Sequence, residues 1–454
     1  MRTRSAAARE AIVRGSILRA VAKLSAPMLV GVLLQNAQSL IDLFWVGHLG
    51  PAAVAAVSMS GTVLMLLNPM IMGLSTGTVA LVARAMGAGD HATASKAAGQ
   101  SLFLSLVMGL ASALAGWFLA VPALRLLGAA ADVEGPGALY LRICMAGNFT
   151  VCMLFIGNAA LQGAGDAHTP MWVMALTNVL NVVLDPLLIF GLGPFPKMGV
   201  AGAALATVLA QACGAALVIY FLLRGRSGLH AHGQTWRPDP ELSWRMMKIG
   251  IPGSGQMLSR SLMGLVLMAM VAVSGTAAVA AYGIGMRFHL IILMPAFALG
   301  GAAATMMGQN LGAGQPDRAG HAAWVATWVD IIFMILSGAV LMVFASPLLR
   351  FFNDDAEVVA IGTRYLHIVS PFYIFAGFGI VLARGLNGAG DTLGPMLITI
   401  LTLWGLQVPL AIYLSRILHP ATDGIWWAMS AAFVVQGLAT VVWFRAGRWR
   451  GKSL

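Results

Sequence analysis

Apolar residues fill this chain in blocks of twenty or more, and charged residues are largely confined to the gaps between blocks. A helix of roughly 20 apolar residues spans the ~30 Å hydrocarbon core of a bilayer. Twelve such blocks lie near 20–46, 52–81, 93–121, 138–162, 170–193, 199–223, 246–273, 277–305, 320–346, 358–384, 395–417 and 424–444. The pattern predicts an all-α integral membrane protein with twelve transmembrane helices. The longest polar connection is 225–245, "GRSGLHAHGQTWRPDPELSWR", after the sixth span.

The pattern repeats. "LQGAGDAHTPM" at 161–171 returns as "LNGAGDTLGPM" at 386–396, and "GPAAVAA" at 50–56 as "GTAAVAA" at 275–281. The same offset of 225 relates Gly87-Ala88-Gly89 to Gly312-Ala313-Gly314, "YLRI" at 140–143 to "YLHI" at 365–368, and Pro27 to Pro252. One gapless offset shared by separated segments marks a duplicated unit. Six spans is an even number, so the halves are parallel repeats with a central cleft between two lobes. The expected organisation is an N-terminal lobe over 1–224, a linker over 225–245 and a C-terminal lobe over 246–454. Asp166 and Asp391 fall in repeated turns, where an aspartate bonds nearby backbone amides, and Thr169-Pro170 reads as a helix start.

Composition sharpens the class. The chain is 59% hydrophobic and 9% charged, with a mean hydropathy of +0.85, whereas soluble domains carry about 25% charged residues. The net charge of +11 could suggest a nucleic-acid partner. Its placement says otherwise: 19 of 27 Lys and Arg, among them Arg84, Lys96, Arg318 and Arg384, are assigned to one side. The positive-inside rule then puts both termini in the cytoplasm, and a bacterial inner membrane is expected. The basic opening segment up to residue 23 is expected to lie as an interfacial amphipathic helix. Cys144, Cys152 and Cys213 fall within spans and show no disulfide or metal spacing.

Candidate chemistry breaks the repeat. Asp42 and Asp185 lie inside spans, and an ionisable group in hydrocarbon costs at least ~2.5–3.5 kcal/mol. Shifted by 225, Asp185 falls on Leu410, Asn181 on Leu406, Asn178 on Leu403, Asp42 on Leu267, Asn158 on Ala383 and Gln35 on Arg260. The membrane-embedded acids are thus expected in the N-terminal half alone, which speaks against a folding role. Residues 178, 181 and 185 share one helical face, and Pro186 weakens the backbone ladder beside them. Counting residues puts both acids in the outer half of the bilayer, Asp42 shallower by on the order of 6–10 Å unless tilt closes the gap. Two carboxylates in a poorly hydrated site can take up a proton or hold Na+. Arg260 and Arg287 are candidates to line the C-terminal side of the cleft, with His289 beside them as a core or cleft residue; Asn178 also fits a helix-bridging role.

These residues resemble the multidrug and toxic compound extrusion (MATE) family, on "GHLGPAAVAA", "ALQGAGD" and "VGVAGAALATVLAQ". The resemblance covers essentially the whole chain. It implies export of organic, often cationic, compounds against a proton or sodium gradient. The N-terminal pattern is most similar to the DinF-like branch. There a span 1 aspartate and a span 5 Asn-x-x-x-Asp pair form the coupling site, matched by Asp42, Asn181 and Asp185. A span 4 asparagine is matched by Asn158 and the bending span 1 proline by Pro27, with Tyr140 and Thr207 as looser matches. The NorM-like branch carries an acid on span 7 where this chain has Arg260, so no sodium site is implied in the C-terminal lobe.

The functional expectation is a cation-coupled antiporter with small organic substrates, no cofactor, no metal site beyond a possible sodium ion at Asp42 and Asp185, and a monomeric state. The alternative is a flippase for a lipid-linked intermediate, which calls for a basic cavity. A major-facilitator protein lacks support in "ARAMGAGDHATASKAA", and an enzyme lacks any Ser/His/Asp group, metal spacing or phosphate loop.

Overall fold

The structure, a computed structural model, describes residues 9–452. Among them there is no strand, and the helices fall into twelve spans. These are α1, Ile17–Gly47; α2, Pro51–Met65 continued by Asn68–Ala88; α3, His91–Leu126; α4, Ala131–Ala146 continued at 44° by Asn148–Gly163; α5, His168–Phe190; and α6, Val200–Leu223. The second half comprises α7, Pro240–Ala272; α8, Thr276–Gly312; α9, Pro316–Arg350; α10, Ala356–Gly388; α11, Leu393–Ile417; and α12, Ala421–Arg445.

The duplication is visible in the backbone. Gly50 and Gly275 precede α2 and α8 with φ of 102° in both, and Gly89/Gly314 and Gly165/Gly390 repeat left-handed turns at 80°/73° and 88°/85°. Only glycine takes such angles without strain. The halves also differ: α2 breaks before Asn68-Pro69 while α8 runs through, and α11 contains a π-helical stretch, Leu401–Gln407.

The lobes meet through α2 and α8, which cross about a pseudo-two-fold axis. Gly87 packs on the Gln309 backbone, and its repeat mate Gly312 packs on Arg84, the repeat mate of position 309. Neither glycine has room for a Cβ. Beside this crossing, Gly73 and Gly77 of α2 lie against Gly250, Ser254 and Met246 of α7. Small residues at these points let the backbones approach closely, and the contacts gather toward the face that carries the termini and the linker.

That face is tied further by the chain ends. Arg9 donates to the Gly87 carbonyl at 2.7 Å, Arg318 donates to the carbonyls of Ile12 and Gly15, and Arg84 donates to the Lys452 carbonyl. Ile12 and Val13 are buried. From residue 9 onward the opening segment is therefore packed against the lobes; residues 1–8 of that segment lie outside the described residues.

The linker is pinned to the N-terminal lobe. Gln100 of α3 donates to the carbonyls of Thr235 (2.9 Å) and Arg237 (2.5 Å), Lys96 pairs with Asp239, and Leu229 and Ala231 are fully buried. Asp239 accepts from the Leu242 N–H and caps α7, which begins at Pro240, earlier than the pattern predicted. Asp166 accepts from the Thr169 N–H, so the helix start expected at Thr169-Pro170 moves to His168. Asp391 accepts from Trp443 and pairs with Lys452. Both turn aspartates hold the scaffold.

Candidate functional site

A cavity of about 700 Å³ lies between the lobes. Its wall on the N-terminal side carries Pro27, Gln35, Asp42, Tyr140, Asn158 and Thr207, and its wall on the C-terminal side carries Arg260 and Arg384. Asp42 is the single acid among the lining residues, and it stands on the opposite wall from both arginines.

Asp42 and Asp185 meet. The Asp42 carboxyl lies within hydrogen-bonding reach of Asp185 and Asn181, so the difference in depth counted along the sequence does not keep them apart. Asp42 faces the cavity, whereas Asp185 is fully buried behind it. Asn181 donates to Asp185 Oδ1 and Thr207 Oγ1, both at 3.4 Å, and Thr207 donates to the Ala203 carbonyl at 3.0 Å. Three buried oxygens, Asp42 Oδ1, Asp185 Oδ2 and Asn181 Oδ1, have no hydrogen-bond partner among the described residues. A buried acceptor without a donor is costly. Two carboxyl groups in contact repel when both are ionised, so such a cluster favours binding a proton or a small cation between them. Tyr140 is buried at the same wall.

The α5 face explains the arrangement. Asn178, Asn181 and Asp185 are at most 6% exposed, while Val179, Val182 and Val183 on the other side of the helix are 37–61% exposed. Asn178 does not join the pair: it donates to the Leu34 carbonyl of α1 at 2.8 Å and ties α5 to α1. Asn158 and Gln35 line the cavity but make no hydrogen bond to either acid among those in the structure. Helix α1 runs through Pro27 unbroken.

On the C-terminal side the candidate residues separate, and His289 takes the core place of its two alternatives. No polar stripe along this part of α8 marks which way Arg287 faces; it is exposed and lies outside the cavity. His289 also lies outside it, buried in the lobe core, bonded to the Tyr373 hydroxyl at 3.2 Å and stacked on Phe433. Arg384, counted with the charges of one face, instead lines the cavity, donating to the Phe297 carbonyl at 3.2 Å with its guanidinium over the Phe297 ring.

The membrane-embedded acids are not confined to the N-terminal half. Asp330 sits within α9, fully buried, with neither oxygen partnered and its Oδ2 packed over Gly377. Its repeat mate is Ser105. The signal was present in "WVDIIF", but Asp330 does not line the cavity.

Two parallel six-helix lobes closing on a cavity with buried ionisable walls define a multi-pass membrane transporter, not an enzyme. The chain belongs to the MatE family, whose pattern matches it twice, at residues 27–187 and 252–413, once per repeat. It is 30% identical over 444 residues to probable multidrug resistance protein YoeA of Bacillus subtilis (strain 168), covering 97% of this chain and 96% of that one. It is 27% identical over 449 residues to probable multidrug resistance protein NorM of Thermotoga maritima, covering 96% and 94%. In fold it is similar to the outward-facing conformation of a multidrug resistance MATE family transporter of the MOP superfamily, with a TM-score of 0.88, 27% identity and 96% of each chain covered.

Proposed function

We propose that this protein is a proton-coupled antiporter of the DinF-like type that exports organic compounds across a bacterial inner membrane by alternating access. It works as a monomer with both termini in the cytoplasm. The observation that carries the reading is the Asp42–Asp185 contact, one carboxyl at the cavity wall and the other sealed behind it. A proton arriving through the cavity reaches Asp42 first and can pass to Asp185. Removing charge from the pair changes how α1 and α5 pack, and the lobes rock if substrate and proton prefer opposite states by a few kcal/mol. Two carboxylates with one amide oxygen make a sparse cage for Na+, which supports the proton over sodium. The tight α2–α8 crossing supports assigning this conformation as outward-facing.

The test uses purified protein in liposomes loaded with a fluorescent organic ion, with a pH gradient and a sodium gradient imposed separately. Efflux driven by the pH gradient and lost in Asp185→Asn is the expected result. Efflux driven by sodium alone moves the coupling ion to Na+, and no gradient-driven efflux sinks the antiport reading.

A further inference from the structure

The cavity is polarised, with its arginines on the wall opposite Asp42. Arg260 makes no hydrogen bond or ion pair to any described residue, and Arg384 uses its guanidinium only on Phe297. Both arginines line the same cavity. No carboxylate stands on their wall, and Asp42 across the cavity is not ion-paired to either. Holding two like charges together at membrane depth is expensive unless something compensates them.

The repeat shows that the scaffold does not need them. Arg260 corresponds to Gln35 and Arg384 to Ala159, and all four positions line the cavity. The same cavity-facing positions are thus neutral in one lobe and cationic in the other. A guanidinium offers five N–H donors in a fork that matches a carboxylate or phosphate. Arg384, held by Phe297, presents that fork from a fixed base. Beside the arginines, Met257, Phe297 and Ile380 supply apolar contact, and Gln256 and Asn387 are bonded to each other at 3.3 Å. About 700 Å³ accommodates a drug-sized molecule.

We infer that the cavity selects organic zwitterions, with a carboxylate or phosphate held between Arg260 and Arg384 and a cationic group directed at Asp42. This rests on the antiport reading for the path but not for the binding. A purely anionic substrate would be repelled by ionised Asp42 and helped by its protonation, which favours co-binding with the proton. A zwitterion avoids that conflict: its cationic end competes with the proton at Asp42, as exchange requires, while its acidic end gains the arginines.

Equilibrium binding of three fluorescent probes to purified protein tests this: Nε-dansyl-lysine, a zwitterion; its methyl ester, a cation; and its Nα-acetyl derivative, an anion. Wild type should bind the zwitterion about tenfold or more tighter than the ester. Arg260→Gln, which installs the repeat mate's residue, and Arg384→Gln should each remove most of that preference and strengthen ester binding. Arg260→Lys should retain a good part of it. Equal affinity for zwitterion and ester in wild type, or a preference that survives both glutamine variants, overturns the assignment. A lipid headgroup offers the same chemistry. Displacement of the probe by soluble glycerophosphoethanolamine identifies a free zwitterion, and displacement by phosphatidylethanolamine in nanodiscs alone identifies the headgroup. Either displacement must vanish in Arg260→Gln. No gradient is present, so loss of proton-driven efflux in liposomes leaves this result standing, and loss of the arginine dependence leaves proton coupling standing.

Discussion

Asp185 of α5 is fully buried, and Asp42 of α1, within hydrogen-bonding reach of it, lines the cavity wall. In the proposed relay the two acids act in series, so removing either charge should have the same consequence. Asp42→Asn and Asp185→Asn, expressed and folded, are each expected to lower pH-driven efflux by about 100-fold or more, as general for loss of a proton-carrying group. If one of them exports like wild type, the series arrangement is wrong and that residue is not on the proton path.

Asn178 and Asn181 separate structural from coupling amides on one helical face. Asn178 is committed to the Leu34 carbonyl, whereas Asn181 touches Asp185. Asn178→Ala should cost about 1 kcal/mol, in the range of interhelical bonds in membranes, and lower the melting temperature while pH-driven efflux per folded molecule persists. Asn181→Ala should lose efflux. The reverse order of effects would reassign the two.

Asp330 carries an unpartnered carboxyl outside the cavity. Its repeat mate Ser105 donates to the Ser101 carbonyl one turn back, at 2.6 Å. A serine at 330 can do likewise, so Asp330→Ser should stabilise the protein by about 1–3 kcal/mol, the cost of an orphaned buried group. Thermal unfolding reads the gain, and efflux should persist. Loss of efflux comparable to Asp185→Asn would instead extend the coupling site into the C-terminal lobe.

Asp239 gives the linker a pH dependence. The Leu242 N–H, and after it Lys96, hold its carboxyl below the usual carboxylate range. A carboxyl held low in the folded state stabilises above its unfolded value of about 3.9, and the contribution fades as pH falls through the folded value. Asp239→Ala should therefore melt below wild type at pH 7, with the gap narrowing below about pH 4. A gap that stays constant down to pH 3 would place the effect in packing alone.

The sequence carried the spans, the repeat and the α5 face because each is a periodic signal. Depth and facing are not periodic in an apolar helix. Arg384 was assigned to one face because it is the last residue of its block, 358–384, yet the side chain turns back onto Phe297 at the cavity wall. Arg287 and His289 are near neighbours on α8, but one is exposed and the other sits in the core, and no polar stripe along α8 announced which. The Asp42–Asp185 contact depends on how α1 and α5 pack, which a residue count along either helix does not carry. Asp330 was overlooked for another reason: it has no amide companions on its face, so the feature that marked Asp185 was absent.

The α2–α8 crossing makes the last prediction, about which face opens. Gly87 and Gly312 each press on opposing backbone, and backbone cannot swing aside as a long side chain can. Gly87→Ala or Gly312→Ala should push the lobes apart at the terminus-bearing face. Gly61, also on α2, has open space where a Cβ would stand, so Gly61→Ala controls for helix propensity. In a background without Cys144, Cys152 and Cys213, a cysteine at Gln162, on the cavity lining, reports access by a membrane-impermeant maleimide applied from that face. Labelling should rise by about tenfold in either crossing variant, since a 1–3 kcal/mol overpacking strain shifts a two-state equilibrium by that order. It should stay at the wild-type rate in Gly61→Ala. Equal labelling in all four proteins would mean that the crossing does not seal the cavity, and the seal would then have to lie in the straps formed by Arg9, Arg318 and Lys452.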